Sequence, residues 1–169
     1  MLRFLLITAC AGLFLGGSPA AAAGDFPWGD FKNRTLKASV VLDDRAAGNA
    51  PTTENRVILP GRGLPGRVVA TFTGATRLLS REKQELIARW ALLENASRDF
   101  APAYAEEFQF DENGRKYWLA LQKKMAVQFR HEAQPDQKIE LFYFSGIGGL
   151  RAGPTWDWAL LVTEFQAQK

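Results

Sequence analysis

The chain has 169 residues, with 21 Lys plus Arg against 18 Asp plus Glu, one Cys and one His. The basic residues are scattered and the formal net charge is only +3, which excludes the basic footprint of a nucleic-acid binder. One cysteine and one histidine leave no disulfide framework and too few ligands for a zinc set.

Arg3 supplies a positive start, and Phe4 to Leu15 form an apolar run that Gly16-Gly17-Ser18-Pro19 breaks. Ala20 to Ala23 are small enough for a signal peptidase, so residues 1–23 are expected to be a cleavable secretory signal, cut near Ala23–Gly24. The break comes before the roughly 20 apolar residues that a membrane-spanning helix needs. Ile7-Thr8-Ala9-Cys10 also resembles the lipobox of bacterial lipoproteins, although Ala11 to Leu15 carry the apolar run past it. The expected product is a periplasmic or secreted chain, residues 24–169, forming one domain. A domain of that size buries roughly two-thirds of its unfolded surface and needs no cofactor, metal or disulfide to fold.

Phe26 and Trp28 are expected to pack onto the domain from an irregular entry. Leu36 to Leu42 alternates as a strand does, and Asp43 to Arg56 is polar and turn-rich, as in a mobile loop. Val57 to Leu59 is a short candidate strand. Pro60 to Gly66 is a turn-rich connection, and Arg67 to Thr73 is a further strand. Ser80 is an N-cap, and Leu86, Trp90, Leu93 and Phe100 recur at helical spacing towards Pro102. Asn113-Gly114 centres a β-hairpin over Glu107 to Gln122, because Asn-Gly accepts the positive φ of a tight turn. Lys123 to Ala133 reads as a helix that Pro135 stops, with one longer helix over Trp118 to Phe129 as the alternative. Lys138 to Gly146 and Asp157 to Phe165 are apolar on both faces, as in covered central strands. The fold class is therefore α+β: a mostly antiparallel curved sheet or small barrel of about five to six strands, with two helices packed on it.

The Gly-rich segment Gly146 to Trp158 follows a strand, as a phosphate cradle does. Pro154 closes its glycine run and another strand comes next, so it lacks the helix N-terminus that a dinucleotide fingerprint requires. It reads as a flexible loop offering Gly148, Gly149, Arg151, Trp156 and Trp158 for contact. Trp156-Asp157-Trp158 is taken to set two indoles on opposite faces of a strand start, leaving one exposed beside Arg151, the composition of an interaction hot spot. Glu164, on the face of Trp158, Leu160 and Val162, is the candidate buried carboxylate. With Asp157 or Glu140 it could form the acid–base pair of a glycoside hydrolase. Arg62 and Arg67, on the Pro60 to Gly66 turn and just after it, could hold an anion. His131 reads as a solvated helix-end residue. Asn33 and Asn95 stand in glycosylation sequons, the latter within the expected helix.

Together these residues point to a non-catalytic exported module that binds an envelope protein or glycan through the Gly146 to Trp158 segment. A small hydrolase working through Glu164 and Asp157 is the alternative.

Overall fold

A computed structural model describes residues 28–48, 55–59 and 61–168. The expected signal peptide, Cys10 and Phe26 lie outside the described residues, as does the side chain of Trp28. The elements run in the order β1 (Lys32–Asn33), α1 (Leu36–Ala47), β2 (Arg56–Ile58), β3 (Leu64–Leu78), α2 (Arg81–Leu93), β4 (Tyr104–Glu112), β5 (Arg115–Gln122), α3 (Lys123–Glu132), β6 (Lys138–Ser145), β7 (Gly148–Ala152), β8 (Thr155–Trp158) and β9 (Leu161–Ala167). The α+β class holds, with nine strands and three helices among the described residues where five to six strands and two helices were expected. No helix among those residues is long and apolar enough to cross a membrane.

The added helix is α1, which replaces the strand expected over Leu36 to Leu42. Its buried residues, Leu36, Ser39, Val40, Asp43 and Ala47, follow a helical period that the shorter alternating window concealed. Thr35 caps it locally by accepting from Ala38 N–H at 3.0 Å. A second cap comes from far along the chain: the Glu112 carboxylate accepts from Leu36 N–H at 3.0 Å and from Lys37 N–H at 3.1 Å. An anion at that end also meets the positive pole of the helix dipole.

β3 is about twice the length of the strand expected over Arg67 to Thr73: it starts within the segment read as a turn-rich connection and runs on past Gly74. Gly66 and Gly74 each have a structural reason to be there. A Cβ on Gly66 would stand 2.6 Å from the Tyr143 ring. Gly74 takes φ +83° between Phe72 and Thr76, where the pairing register shifts. That bend lets β3 pair with β6 along Leu64–Thr71 and with β4 along Thr71–Leu78.

The remaining pairings close a circuit. β4 and β5 form the expected hairpin, with Asn113 at φ 55° and Gly114 at φ 83°. β5 joins β9 in parallel, and β9 joins β6 antiparallel. The circuit β3-β4-β5-β9-β6-β3 is not a clean barrel. Its parallel seam has only the registers Ala120↔Leu161 and Leu121↔Val162. The result is a curved mixed sheet that is only partly closed on itself. β1 extends the sheet beside β3, while β2, β7 and β8 form a separate three-stranded sheet.

Two apolar cores result. α3 supplies Phe129 to the first, its ring 5.0 Å from Phe72, 5.1 Å from Phe108 and 5.0 Å from Phe165. Val40 and Ala47 of α1 join the same core with Val57 and Trp158. In the second core, Leu86, Ile87 and Trp90 of α2 pack with Tyr104, Ala120, Ile147 and Leu161. The small sheet thus lies between α1 on one side and α2 on the other.

Beneath α1 the Tyr143 hydroxyl donates to the Arg34 carbonyl at 3.0 Å and lies 2.9 Å from Ser39 Oγ. Burial pushes its pKa up to about 12, so it remains a donor. Gly66→Ala drives a methyl into this fixed ring. A loss of about 2 kcal/mol is expected, read as a lower urea midpoint at unchanged m-value.

Candidate binding site

The Gly146 to Trp158 segment is a hairpin rather than a flexible loop: β7 and β8 pair from Gly149↔Trp158 to Ala152↔Thr155. Gly148 and Gly149 are buried in it. A Cβ on Gly148, at φ +151°, would stand 2.4 Å from the Val57 carbonyl oxygen, and one on Gly149 would meet the Trp158 indole at 2.9 Å. Both glycines therefore serve close packing. Trp158 is buried as well. Arg151 is exposed, its guanidinium 4.5 Å from the centroid of the half-buried Trp156 ring. Of the five expected contact residues, these two reach the surface. The expectation of indoles on opposite faces is corrected by strand geometry: residues i and i+2 share a face, and the two rings lie 5.8 Å apart.

α1 holds both ends of this segment through consecutive residues. Asp43 accepts from Gly146 N–H at 3.2 Å, and Asp44 accepts from the Trp158 indole N–H at 3.0 Å. Asp43 is buried, and its pKa rises from 3.8 to about 6. Burial is the chief cause, reinforced by Asp44 and opposed by the Gly146 hydrogen bond and by Arg34.

On the opposite face of the hairpin, Asp157 belongs to a closed ring of four charges. Lys83 Nζ donates to Glu107 Oε1 at 2.6 Å and to Asp157 Oδ1 at 2.8 Å. Arg77 Nε donates to Glu107 Oε2 at 2.6 Å, and its Nη2 donates to Asp157 Oδ2 at 3.1 Å. Each cation bridges both carboxylates, so α2, β3, β4 and β8 are joined at one point. Burial disfavours the Arg77 charge, but the hydrogen bond and charge of Glu107, backed by Asp157, hold its pKa above the ordinary value. The Arg77 guanidinium also lies 4.4 Å from the centroid of the Trp118 ring on β5.

Lys83, Arg77, Glu107 and Trp118 were not among the residues singled out from the sequence. Lys83 carried a readable anomaly: it precedes Leu86, Ile87 and Trp90 by three, four and seven residues, on the buried stripe of α2. A lysine there needs a carboxylate, but spacing alone does not say which.

The carboxylates considered for hydrolysis are dispersed. Asp157 is taken up by the ring, and Glu140 accepts from Arg67 Nε at 2.6 Å. Glu164 borders a groove with Gln122, Met125 and Gln128, and its Oε1 accepts from Phe165 N–H. Of the two candidate anion-binding arginines, Arg67 is thus paired. Arg62 lines a largely apolar groove of about 660 Å³ with Phe31, Lys32, Pro65, Phe144 and Thr163. His131 is exposed near the end of α3, as expected. Asn95 lies beyond the end of α2 at φ 55°, not within the helix. No group of three or more His, Cys, Asp or Glu residues able to hold a metal ion is found among the described residues.

Comparison with known protein families gives no match, and neither does comparison with curated proteins.

Two outcomes are expected. Lys83→Met leaves Glu107 buried with half its compensation, and should lower stability by about 3 kcal/mol in urea titration. Adding Glu107→Leu removes the stranded charge and should recover most of that loss. Asp43 gives a pH dependence of definite sign. Its folded pKa exceeds its unfolded one, so the native chain takes up the proton first as pH falls. Stability should therefore rise between pH 7 and pH 4, by up to about 3 kcal/mol from this group. Asp43→Asn should abolish that contribution and stabilise the chain at pH 8.

Proposed function

We propose that the chain is an exported, non-catalytic binding module, acting in the periplasm or outside the cell on an envelope protein or glycan. The observation that carries the reading is the Arg151–Trp156 stack towards the turn end of the β7–β8 hairpin, with Arg151 exposed. Arginine and tryptophan dominate the energetics of protein contacts when a rigid scaffold presents them, since little side-chain freedom is then lost on binding. Rigidity is supplied here from both faces, by Asp43 and Asp44 of α1 and by the ion pairs of Asp157. The export half of the reading rests on the pattern of residues 1–23. The hydrolase reading draws no comparable support, because Asp157 and Glu140 are each held by a cation.

The test is in-cell crosslinking and capture with the tagged chain, beside Arg151→Ala/Trp156→Ala. Wild type should capture a defined partner, and the double variant should lose it at least about tenfold while keeping its far-UV circular dichroism and urea midpoint. Undiminished capture by the folded double variant would remove the hairpin from the interface. An envelope-glycan-cleaving activity that disappears in Glu164→Gln would replace the module with a carboxylate-dependent enzyme.

A further inference from the structure

The weak seam of the strand circuit leaves two unpaired sheet edges facing the same opening. In an antiparallel ladder, opposite residues alternate between hydrogen-bonded and non-bonded pairs. The two-residue Asn113-Gly114 turn makes Glu112/Arg115 a bonded pair. Counting in twos from there, Phe110/Tyr117 and Phe108/Leu119 are bonded, so the backbone groups of Lys116, Trp118 and Ala120 point away from β4. Ala120 obeys this: its N–H donates across the seam to the Leu160 carbonyl at 2.8 Å. Lys116 and Trp118 have no strand on that side among the described residues.

The same counting applies to β8. Ala159 N–H donates to the Gly148 carbonyl at 2.9 Å, so Leu150/Asp157 and Ala152/Thr155 are bonded pairs, and the backbones of Trp156 and Trp158 face outward. Among the described residues β8 pairs with β7 alone. Because β8 runs through Ala159 and Leu160 into β9, the two open edges part at the point where the β5–β9 seam ends.

The opening has side chains suited to an extended chain. Trp118 and Trp156 carry outward backbone groups on opposite edges, and each lies half-buried beneath an arginine, Arg77 and Arg151. Arg115, Lys116 and Arg151 are exposed; Asp111 stands opposite Lys116 across the β4–β5 ladder, and Glu112, opposite Arg115, is taken up at the α1 N-terminus. Asp157 also borders the opening but is already held by Lys83 and Arg77. A second copy of this chain would bring the same cations to the contact. Free amide and carbonyl groups along an edge are matched in register by another polypeptide backbone.

We propose that the split between β5 and β8 receives an acidic polypeptide segment in extended conformation, added as a strand. The proposal rests on the reading of the Arg151–Trp156 surface as a contact site, and names the chemistry of its partner.

The probe is an N-acetylated, C-amidated (Glu-Val)4 peptide titrated into the 15N-labelled chain at low salt. Binding should move the amide resonances of Lys116, Trp118 and Trp156. The charge-inverted (Lys-Val)4 peptide should bind at least about tenfold more weakly. Lys116→Pro removes an N–H that β4 does not use and should weaken binding about tenfold or more, whereas Lys116→Ala keeps the N–H and should cost about threefold. Should Lys116→Pro disturb the hairpin, Arg115→Glu/Lys116→Glu/Arg151→Glu provides the second test: it should invert the preference between the two peptides.

Failure of wild type to bind the acidic peptide, or equal binding by folded Lys116→Pro, overturns the strand addition. If the acidic peptide fails while Arg151→Ala/Trp156→Ala still loses its cellular partner, the split falls and the hairpin contact stands. If the acidic peptide binds as described but the double variant keeps its partner, the contact surface falls and the split stands.

Discussion

The arrangement of the whole domain depends on one buried ammonium group. Lys83 lies in the interior of the protein, and an ion there is sustained only by partners placed to meet it. Those partners come from β4 and from β8, and the second cation that completes their coordination comes from β3. α2 can therefore dock at a single depth and rotation, the one at which Lys83 reaches both carboxylates. Taking four charges out of water is costly enough that the ring contributes little net stability. Its contribution is uniqueness: an α2 displaced by one turn would bury the same leucines and strand a charge. The small sheet inherits its position from this restraint, since Asp157 is one of its residues.

The local parts of the fold were legible where chemistry and spacing agreed. Ser80 as a cap, Asn113-Gly114 as a turn, Phe129 on an amphipathic helix and the apolar β6 all carry their reasons within a few residues. What escaped reading was set at long range. α1 owes its second cap to Glu112, which is more than seventy residues away, and its alternation over Leu36 to Leu42 imitates a strand. β3 was cut short because glycine and proline are local breakers, while the need for Gly66 arises from a tyrosine on another strand. The Gly146 to Trp158 segment looked like a loop because its glycines suggested freedom, whereas Gly148 and Gly149 are there to admit a carbonyl and an indole.

The candidate site was legible to a similar degree. Arg151 and Trp156 were found as a pair because they are neighbours across a short turn. Trp118 was missed as a candidate residue because its relation to Trp156 exists only once the circuit has been laid out. The connection between β3 and β4, which holds α2, and the β7–β8 hairpin between β6 and β9 pack on each other. What the hairpin leaves exposed is its rim, where Arg151 stands.

The topology also sets an order of events in time. β3 begins at residue 64 and pairs along half its length with β6, some seventy residues later, and neither β5 nor β6 is completed on its second edge until β9 arrives. The first core cannot close before β9 has been made, because Val162 and Phe165 belong to it. Contacts of such long sequence separation make for slow folding. For a chain that must be threaded through a narrow translocation channel, as the export proposal requires, that slowness is useful. The polypeptide stays threadable until β9 is released, and the same delay exposes its unpaired strands to aggregation during transit.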